Sequence, residues 1–304
     1  MPLGRHLLEA RVAESGIRSW VASGRKGVRE SGRGAGRSGG GAGGTGKWLD
    51  NGGCIGYTER ENGTSGGRRM LYFDCPTGIS GDMTVAALLD LGASQTRLDA
   101  ALRSLKLPGV AWRFEPHRFV TETPHHHAGD YHAHRNLTRI REIIERGALT
   151  ARARAIALRV FEVVADAEAK AHHCAIEEVH FHEVGADDSI LDAVATGVLI
   201  DDLGEREAAF SILREGTGHI RCAHGELELP VPAVREIVAK YGLPLEQTDE
   251  PTELVTPTGA AIAAALRTEP MLQRLPSDWL ASGYGEGMKE LVSGPNRLTV
   301  YRLP

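Results

Sequence analysis

Residues 71–83 read Leu71-Tyr72-Phe73-Asp74-Cys75-Pro76-Thr77-Gly78-Ile79-Ser80-Gly81-Asp82-Met83. The apolar run at the start predicts a buried strand, the glycines predict a tight turn, and the apolar spacing from Asp82 to Leu91 predicts a helix. Downstream, helical and strand patterns alternate irregularly, which favours a mixed α/β (α+β) fold over a helical bundle. The predicted helices cover 94–105, 137–146, 151–172, 187–203, a segment from 232, and 258–267; the predicted strands cover 110–119, 179–183, 210–213, 218–222, 226–229 and a closing hairpin within 279–303.

Residues 1–69 differ in composition from the rest of the chain. They hold 19 of the 37 glycines, with 12 Lys and Arg against 6 Asp and Glu. A segment this poor in apolar residues cannot offset its ordering entropy, so we expect a disordered extension that is not necessarily native. An RNA-binding Gly/Arg arm is the alternative, but the aromatic residues that would stack on bases are scarce. We therefore expect one folded domain over 70–304 and no nucleic-acid partner.

Composition limits where the protein works. No apolar run approaches the roughly 20 residues that cross a bilayer, and the first residues lack the apolar core of a secretory signal. The four cysteines are scattered and form no CxxC pair, which argues against a disulfide framework. These features predict a soluble, cytoplasmic protein without a membrane partner.

The most informative local pattern is Val179-His180-Phe181-His182-Glu183-Val184-Gly185-Ala186-Asp187-Asp188. On a strand, His180 and His182 project from one face. Glu183 ends the strand, and Asp188 shares a face of the next helix with Asp192, four residues on. Imidazole and carboxylate groups converging at such a junction predict a metal site, although ligand type alone does not choose the metal. The alternative is a pair of surface histidines followed by ordinary acids at a helix N-terminus.

A second group of imidazoles lies in a polar loop, at His125, His126, His127, His132 and His134. Such a loop can recruit a borderline divalent metal, or it can be a solvated histidine tract. If it binds metal, we expect transient binding, because a loop without regular structure rarely holds a fixed coordination geometry.

Two turns before helices are suited to anions. The first carries Gly78, Ser80 and Gly81, and the second carries Thr256 and Thr258 on either side of a proline. Free N–H groups at a helix start bind phosphate or carboxylate groups, so both turns are candidate cofactor-binding segments. Plain helix capping is the simpler interpretation of the second turn.

Six segments, in order along the chain, resemble the family of nickel insertion proteins of nickel-pincer cofactor biosynthesis. They are Phe73-Asp74 with Gly78-Ile79-Ser80-Gly81-Asp82-Met83; the histidine-rich loop ending in His134-Arg135-Asn136-Leu137; Ala167-Glu168-Ala169-Lys170; Val179 to Ala186 with Asp188-Ser189-Ile190; His224-Gly225 with Pro230-Val231-Pro232-Ala233; and Glu253 to Ala260. The resemblance covers roughly Met70 to the end. A metal-dependent hydrolase, which can also open with His-x-His on a strand, is the rival interpretation.

The resemblance implies an activity. Family members insert nickel into pyridinium-3,5-bisthiocarboxylic acid mononucleotide in a CTP-dependent reaction whose product serves lactate racemase. A metal–carbon bond requires loss of a ring proton, for which Glu183, Asp188 and Asp82 are candidate acceptors. Family members continue beyond the segment that this chain resembles, into a part associated with CTP and a divalent metal. The chain is therefore expected to need a separate partner chain, or to be a non-catalytic nickel-binding fragment; a homo-oligomer is also compatible with the sequence.

Overall fold

The structure is a computed structural model that describes residues 69–123, 135–181, 186–222, 225–272 and 274–304. Within these ranges the helices are α1 (Gly81–Asp90), α2 (Gln95–Ser104), α3 (Leu137–Glu145), α4 (Ala151–Ala171), α5 (Asp187–Leu203), α6 (Pro232–Tyr241) and α7 (Pro257–Leu266). The strands are β1 (Met70–Asp74), β2 (Ala111–Glu115), β3 (Arg118–Glu122), β4 (Glu207–Phe210), β5 (Leu213–Glu215), β6 (His219–Cys222), β7 (Gly225–Glu228), β8 (Leu245–Gln247), β9 (Ala281–Glu286) and β10 (Arg297–Leu303). The predicted mixed α/β class is confirmed.

The largest sheet of the described part has the strand order β4-β1-β10-β9. β1 runs parallel to β4 and antiparallel to β10, and β10 runs antiparallel to β9. Side chains alternate across β1: Leu71 and Phe73 belong to the main core with the helices, and Tyr72 belongs to a smaller cluster with Ala209 and Leu303. This period-two alternation is what a strand packed on both faces requires. β1 is therefore buried on both sides, as the apolar run predicts.

Glycines let the helical layer approach the sheet closely. A Cβ atom on Gly285 of β9 would lie 2.1 Å from the carbonyl oxygen of Met83 in α1, and one on Gly283 would lie 2.1 Å from the nitrogen of Leu91 at the end of this helix. Gly197 of α5 faces the backbone of α4 in the same way, because a Cβ there would lie 2.4 Å from the carbonyl oxygen of Ala153. Large aromatic residues are scarce in this chain. Alanine-rich helices and close glycine contacts therefore provide much of the dense packing of the core.

Three predicted strands differ from the structure. The segment 210–213 is not one strand, because it covers the end of β4 and the start of β5. The segment 110–119 is not one strand but the first part of a hairpin, in which β2 pairs with β3 and Glu115 faces Arg118. His117 adopts a left-handed backbone conformation (φ 58°) and closes this turn. Of the predicted strand at 179–183, the described residues 179–181 contribute an isolated antiparallel bridge between Phe181 and Arg135, preceded by a short 3-10 turn at Ile176–Glu178. Residues 182–185 lie outside the described ranges.

None of the described helices combines the length and the apolar character that crossing a bilayer demands. Of the cysteines that the structure describes, Cys75, Cys174 and Cys222 are free thiols.

Candidate functional site

The two turns that the sequence suggests as anion-binding segments, at 78–81 and 256–258, lie against each other. The backbone N–H of Ile79 donates to the carbonyl of Leu254 (3.0 Å), and the N–H of Thr256 donates to the carbonyl of Ile79 (3.1 Å). Ile79 and Val255 thereby form a short parallel bridge, although 176 positions separate them in the sequence. The starts of α1 and α7 are consequently held side by side, which neither motif predicts alone.

Glycine is required for this approach. Gly78 has a left-handed backbone (φ +84°), and a Cβ atom there would lie 2.1 Å from the carbonyl oxygen of Leu254. A Cβ on Gly259 would lie 2.1 Å from the carbonyl oxygen of Ile79. Real Cβ contacts are never this short, so any larger residue must separate the two turns.

Hydroxyl groups organise both helix starts. The Thr256 hydroxyl accepts a hydrogen bond from the N–H of Gly259 (3.1 Å), which is the capping interaction of α7. The Ser80 hydroxyl donates to Asp82 Oδ1, and the carbonyl of Ser80 accepts from the Thr84 hydroxyl (2.7 Å). Thr258 is almost fully buried. The structure therefore brings together the predicted residues Gly78, Ser80, Gly81, Thr256 and Thr258, and it also confirms the capping role of Thr256.

Three carboxyl groups flank the first turn. Gly81 packs directly on Asp192 of α5, because a Cβ at position 81 would lie 2.3 Å from Asp192 Oδ2. Asp192 Oδ1 is enclosed and has no hydrogen-bond partner among the described residues. Burial raises the pKa of Asp192 well above that of an ordinary aspartate, and the negative charges of Asp82 and Asp188 raise it further. The start of α5 thus joins the starts of α1 and α7 at one acidic site.

Asp188 is a second strong proton acceptor in this group. Burial raises its pKa, although its Oδ1 accepts a hydrogen bond from the N–H of Ser189 (2.7 Å), which favours the ionised form. A carboxylate with a raised pKa binds a proton more tightly than an ordinary one, which favours it as a proton acceptor. Asp82 and Asp188, both predicted from the sequence as proton acceptors, therefore lie around Asp192.

Asp192 itself was not predicted as a site residue. Its spacing of four from Asp188 places the two on one helix face, and this was the available signal. The contact that makes Asp192 distinctive is with Gly81, 111 positions earlier in the chain, and no local pattern encodes it.

The described flanks of the two histidine-bearing segments are joined. The N–H of Phe181 donates to the carbonyl of Arg135 (3.1 Å), and the Arg135 guanidinium pairs with Asp187 Oδ1 at 2.8 Å. Arg135 follows the loop that carries the five histidines, and Phe181 lies between His180 and His182. Both segments therefore meet the folded domain next to the start of α5.

The predicted metal ligands lie largely outside the described ranges; these are His125, His126, His127, His132, His134, His182 and Glu183. Among the residues that the structure does describe, no group of three or more His, Cys, Asp or Glu side chains is arranged to hold a metal ion. His180 and Asp188 alone do not form such a site, so the metal assignment stays a prediction.

Comparison with known proteins gives a consistent result. The model of the family described as "Nickel insertion protein" matches residues 71–302. A pyridinium-3,5-bisthiocarboxylic acid mononucleotide nickel insertion protein of Alkaliphilus metalliredigens is 46% identical over 245 residues, which are 73% of this chain and 58% of that protein. A relative of the same name from Acetivibrio thermocellus is 39% identical over 236 residues, 73% of this chain and 57% of that protein.

A putative nickel insertion protein of Roseiflexus castenholzii is 43% identical over 239 residues, 77% of this chain and 59% of that protein. The chain thus spans less than two thirds of the length of these curated relatives. No solved structure matched significantly. The family match extends over most of the chain, from the first strand of the central sheet to the last, and the chain therefore belongs to the nickel insertion protein family.

Proposed function

We propose that this chain inserts nickel into pyridinium-3,5-bisthiocarboxylic acid mononucleotide, the molecule that appears in the names of several of its relatives. The product would be the nickel-pincer nucleotide that serves lactate racemase, and the enzyme would be a cyclometallase of the lyase class acting in the cytoplasm. The observation that carries the proposal is the meeting of two anion-type turns with three carboxyl groups at the starts of α1, α5 and α7.

The charges of this site suit the proposed reactants. The positive ends of the helix dipoles of α1 and α7 would stabilise phosphate groups. A phosphate alone would be repelled by Asp82, Asp188 and Asp192, but a pyridinium ring and a nickel ion are both cations and would offset that repulsion. A ligand with an anionic phosphate and a cationic ring therefore matches the site better than a simple phosphate does.

The carboxyl groups also suit the proton balance of the reaction. When nickel replaces hydrogen on the ring carbon, a nickel–carbon bond forms, a carbon–hydrogen bond breaks, and one proton leaves. We assign its acceptance to Asp82 and Asp188, with Asp192 sharing the proton. Glu183 remains a further candidate acceptor. The raised pKa values of Asp188 and Asp192 mean that these carboxylates bind a proton more tightly than an exposed aspartate does. Moving a proton to them from a weakly acidic carbon is therefore less unfavourable than moving it to an exposed aspartate.

We assign nickel capture to the imidazoles of His180 and His182, with the loop histidines His125, His126, His127, His132 and His134 as a delivery segment. Imidazole is a good ligand for nickel. The bridge between Phe181 and Arg135 supports this assignment, because it ties the described flanks of both segments together near Asp187 and Asp188. Nickel would then be held beside the carboxyl groups that accept the ring proton.

Calorimetry with nickel tests this assignment. We expect the double change His180→Ala/His182→Ala to weaken nickel binding by the full chain by about 100-fold or more, since even changes outside the ligand shell cost about 10–100-fold. His219→Ala, which alters an exposed histidine on β6, is the matched control and should leave the affinity unchanged. Unchanged binding in the double variant, with loss in a variant lacking the five loop histidines, would place the nickel in the loop instead.

We propose that CTP, with a divalent metal, acts through a further part that the longer relatives contain and that a partner chain can supply. Mass spectrometry after incubation with nickel, the mononucleotide and CTP, with and without that part of a relative, tests the whole reaction. Nickel binding without any metallated product in either mixture would favour the alternative of a non-catalytic nickel-binding protein.

The metal-dependent hydrolase gains no support from the fold. Its barrel needs about eight β/α units around a closed sheet. In the part of the chain that the structure describes, the strands form one open four-stranded sheet and three two-stranded sheets.

A further inference from the structure

Glu215 is a buried carboxyl group behind the second turn. Its side chain is fully enclosed, and its Oε1 accepts hydrogen bonds from the N–H groups of Leu254 (2.7 Å), Val255 (3.3 Å) and Gly216 (2.8 Å). The other oxygen, Oε2, is buried and has no hydrogen-bond partner in the part of the chain that the structure describes. One oxygen atom therefore gathers three backbone donors, two of which belong to the segment that contacts Ile79.

Glu215 is itself firmly placed. It ends β5, which pairs with β8, and its carbonyl accepts hydrogen bonds from the N–H (2.7 Å) and the hydroxyl (3.1 Å) of Thr248. Gly216 packs on the carbonyl oxygen of Thr252, where a Cβ atom would come within 1.8 Å. The side chain thus extends from a fixed backbone to the turn at 254–256.

We propose that Glu215 is a positioning residue that sets the spacing between the two turns of the nucleotide site. Its carboxylate fixes Leu254 and Val255; the carbonyl of Leu254 fixes the N–H of Ile79, and the carbonyl of Ile79 fixes the N–H of Thr256. Through this series of hydrogen bonds, Glu215 sets the distance between the starts of α1 and α7 without touching the ligand. The proposal rests on the proposed function, because it assumes that both turns bind one nucleotide.

A structural role alone does not explain the choice of a carboxyl group. Burial raises the pKa of Glu215, against the effect of the three N–H donors, so this group is costly to enclose. An oxygen with several lone-pair directions and a negative charge is, however, well suited to holding several N–H groups at one point. Costly buried groups of this kind are expected near functional sites.

Two readouts test the proposal on the full chain. The first is amide hydrogen exchange at Ile79 and Thr256, neither of which touches the Glu215 side chain. In Glu215→Ala we expect exchange at both amides to rise by about 10-fold, the effect of losing one typical hydrogen bond. In Glu215→Gln, whose amide oxygen can still accept from Leu254 and Val255, we expect exchange near the wild-type rate.

The second readout is the affinity for pyridinium-3,5-bisthiocarboxylic acid mononucleotide. In Glu215→Ala we expect affinity to fall by about 10-fold or more, because displaced binding groups lose their alignment with the ligand. Nickel affinity should not change. Glu205→Ala is the matched control: Glu205 is also buried, but it pairs with Arg302 at 2.6 Å, so its loss should lower stability without altering either readout.

Equal exchange at Ile79 and Thr256 in the Glu215→Ala and Glu205→Ala variants would overturn the proposal, as would faster exchange without any loss of affinity. If Glu215→Ala does not fold, the Glu215→Gln variant carries the test: exchange there as fast as in unfolded controls would also overturn it. If the wild-type chain does not bind the mononucleotide, the proposed function fails, and the exchange comparison still decides whether Glu215 sets the spacing of the turns.

Discussion

Replacing Asp192 by asparagine will stabilise the folded protein at neutral pH and at the same time abolish its proposed activity. The pKa of Asp192 is raised by burial and by the charges of Asp82 and Asp188. A carboxyl group whose folded-state pKa lies above its unfolded value supports folding at low pH, and this support is lost as the pH rises through the folded-state pKa. At neutral pH the enclosed carboxyl group is therefore a net cost, which a neutral amide of the same shape avoids.

We expect the Asp192→Asn variant to gain about 1–3 kcal/mol in the free energy of unfolding at pH 7–8, the usual cost of a poorly satisfied buried polar group. The gain should shrink as the pH falls towards 4. Formation of the nickel-bound product should fall by about 100-fold or more, the typical contribution of a proton-transfer group. Urea unfolding at several pH values and mass spectrometry of the product measure the two effects.

Asp202→Asn on the same helix is the matched control. Asp202 accepts a hydrogen bond from the N–H of Ser94 (2.7 Å) and pairs with Arg97 at 2.7 Å, so its replacement should lower stability and leave the site intact. A less stable Asp192→Asn variant, or one that retains activity, would contradict the role assigned to this carboxyl group. Higher stability combined with lost activity is the expected behaviour of a residue retained for function.

Of the single methyl additions in this site, Gly78→Ala should lower the free energy of unfolding the most. It combines an unfavourable left-handed backbone with a clash between the new Cβ and the carbonyl of Leu254. The backbone term costs about 1–2 kcal/mol, and a forced separation of packed groups adds about 1–3 kcal/mol. We expect a loss of about 2–5 kcal/mol in the free energy of urea unfolding, together with loss of mononucleotide binding.

The Gly204→Ala variant separates the cost of the left-handed backbone from the cost of the clash. Gly204 has the same φ of +84°, but nothing lies within 4 Å of a Cβ atom added there. This control should lose only the backbone term and should bind the mononucleotide normally. Equal losses in the two variants would mean that the contact between the turns contributes nothing to stability, and would contradict the close packing at Gly78.

Local sequence determined the helices and their starts. Asn136 caps α3 by accepting from the N–H of Arg139 (2.9 Å), and Thr150 caps α4 by accepting from the N–H of Ala153 (3.0 Å), at the starts that the sequence predicts. These bonds join residues three positions apart, so the residues that decide them are neighbours in the chain. The closing hairpin also forms as predicted, with β9 pairing antiparallel to β10.

Pairing between distant segments was less predictable. The apolar pattern at 110–119 could not reveal that His117 closes a hairpin, and the alternation at 179–183 could not reveal that Phe181 forms a bridge with Arg135. A strand exists only where a partner supplies a ladder of hydrogen bonds, and that partner is chosen by the packing of the whole domain.

For the site, the sequence by itself determined the parts: two glycine-bearing turns, the acids Asp82 and Asp188, and the histidine-rich segments. The tertiary structure decided which of these residues are in contact. Only the packing of α1 on α5 places Gly81 against Asp192, and only the fold of β5 brings Glu215 to Leu254, 39 positions away. The physical reason is range: caps and turns depend on bonds between chain neighbours, whereas the pKa of Asp192 and the spacing of the turns depend on side chains that come together only in the packed core.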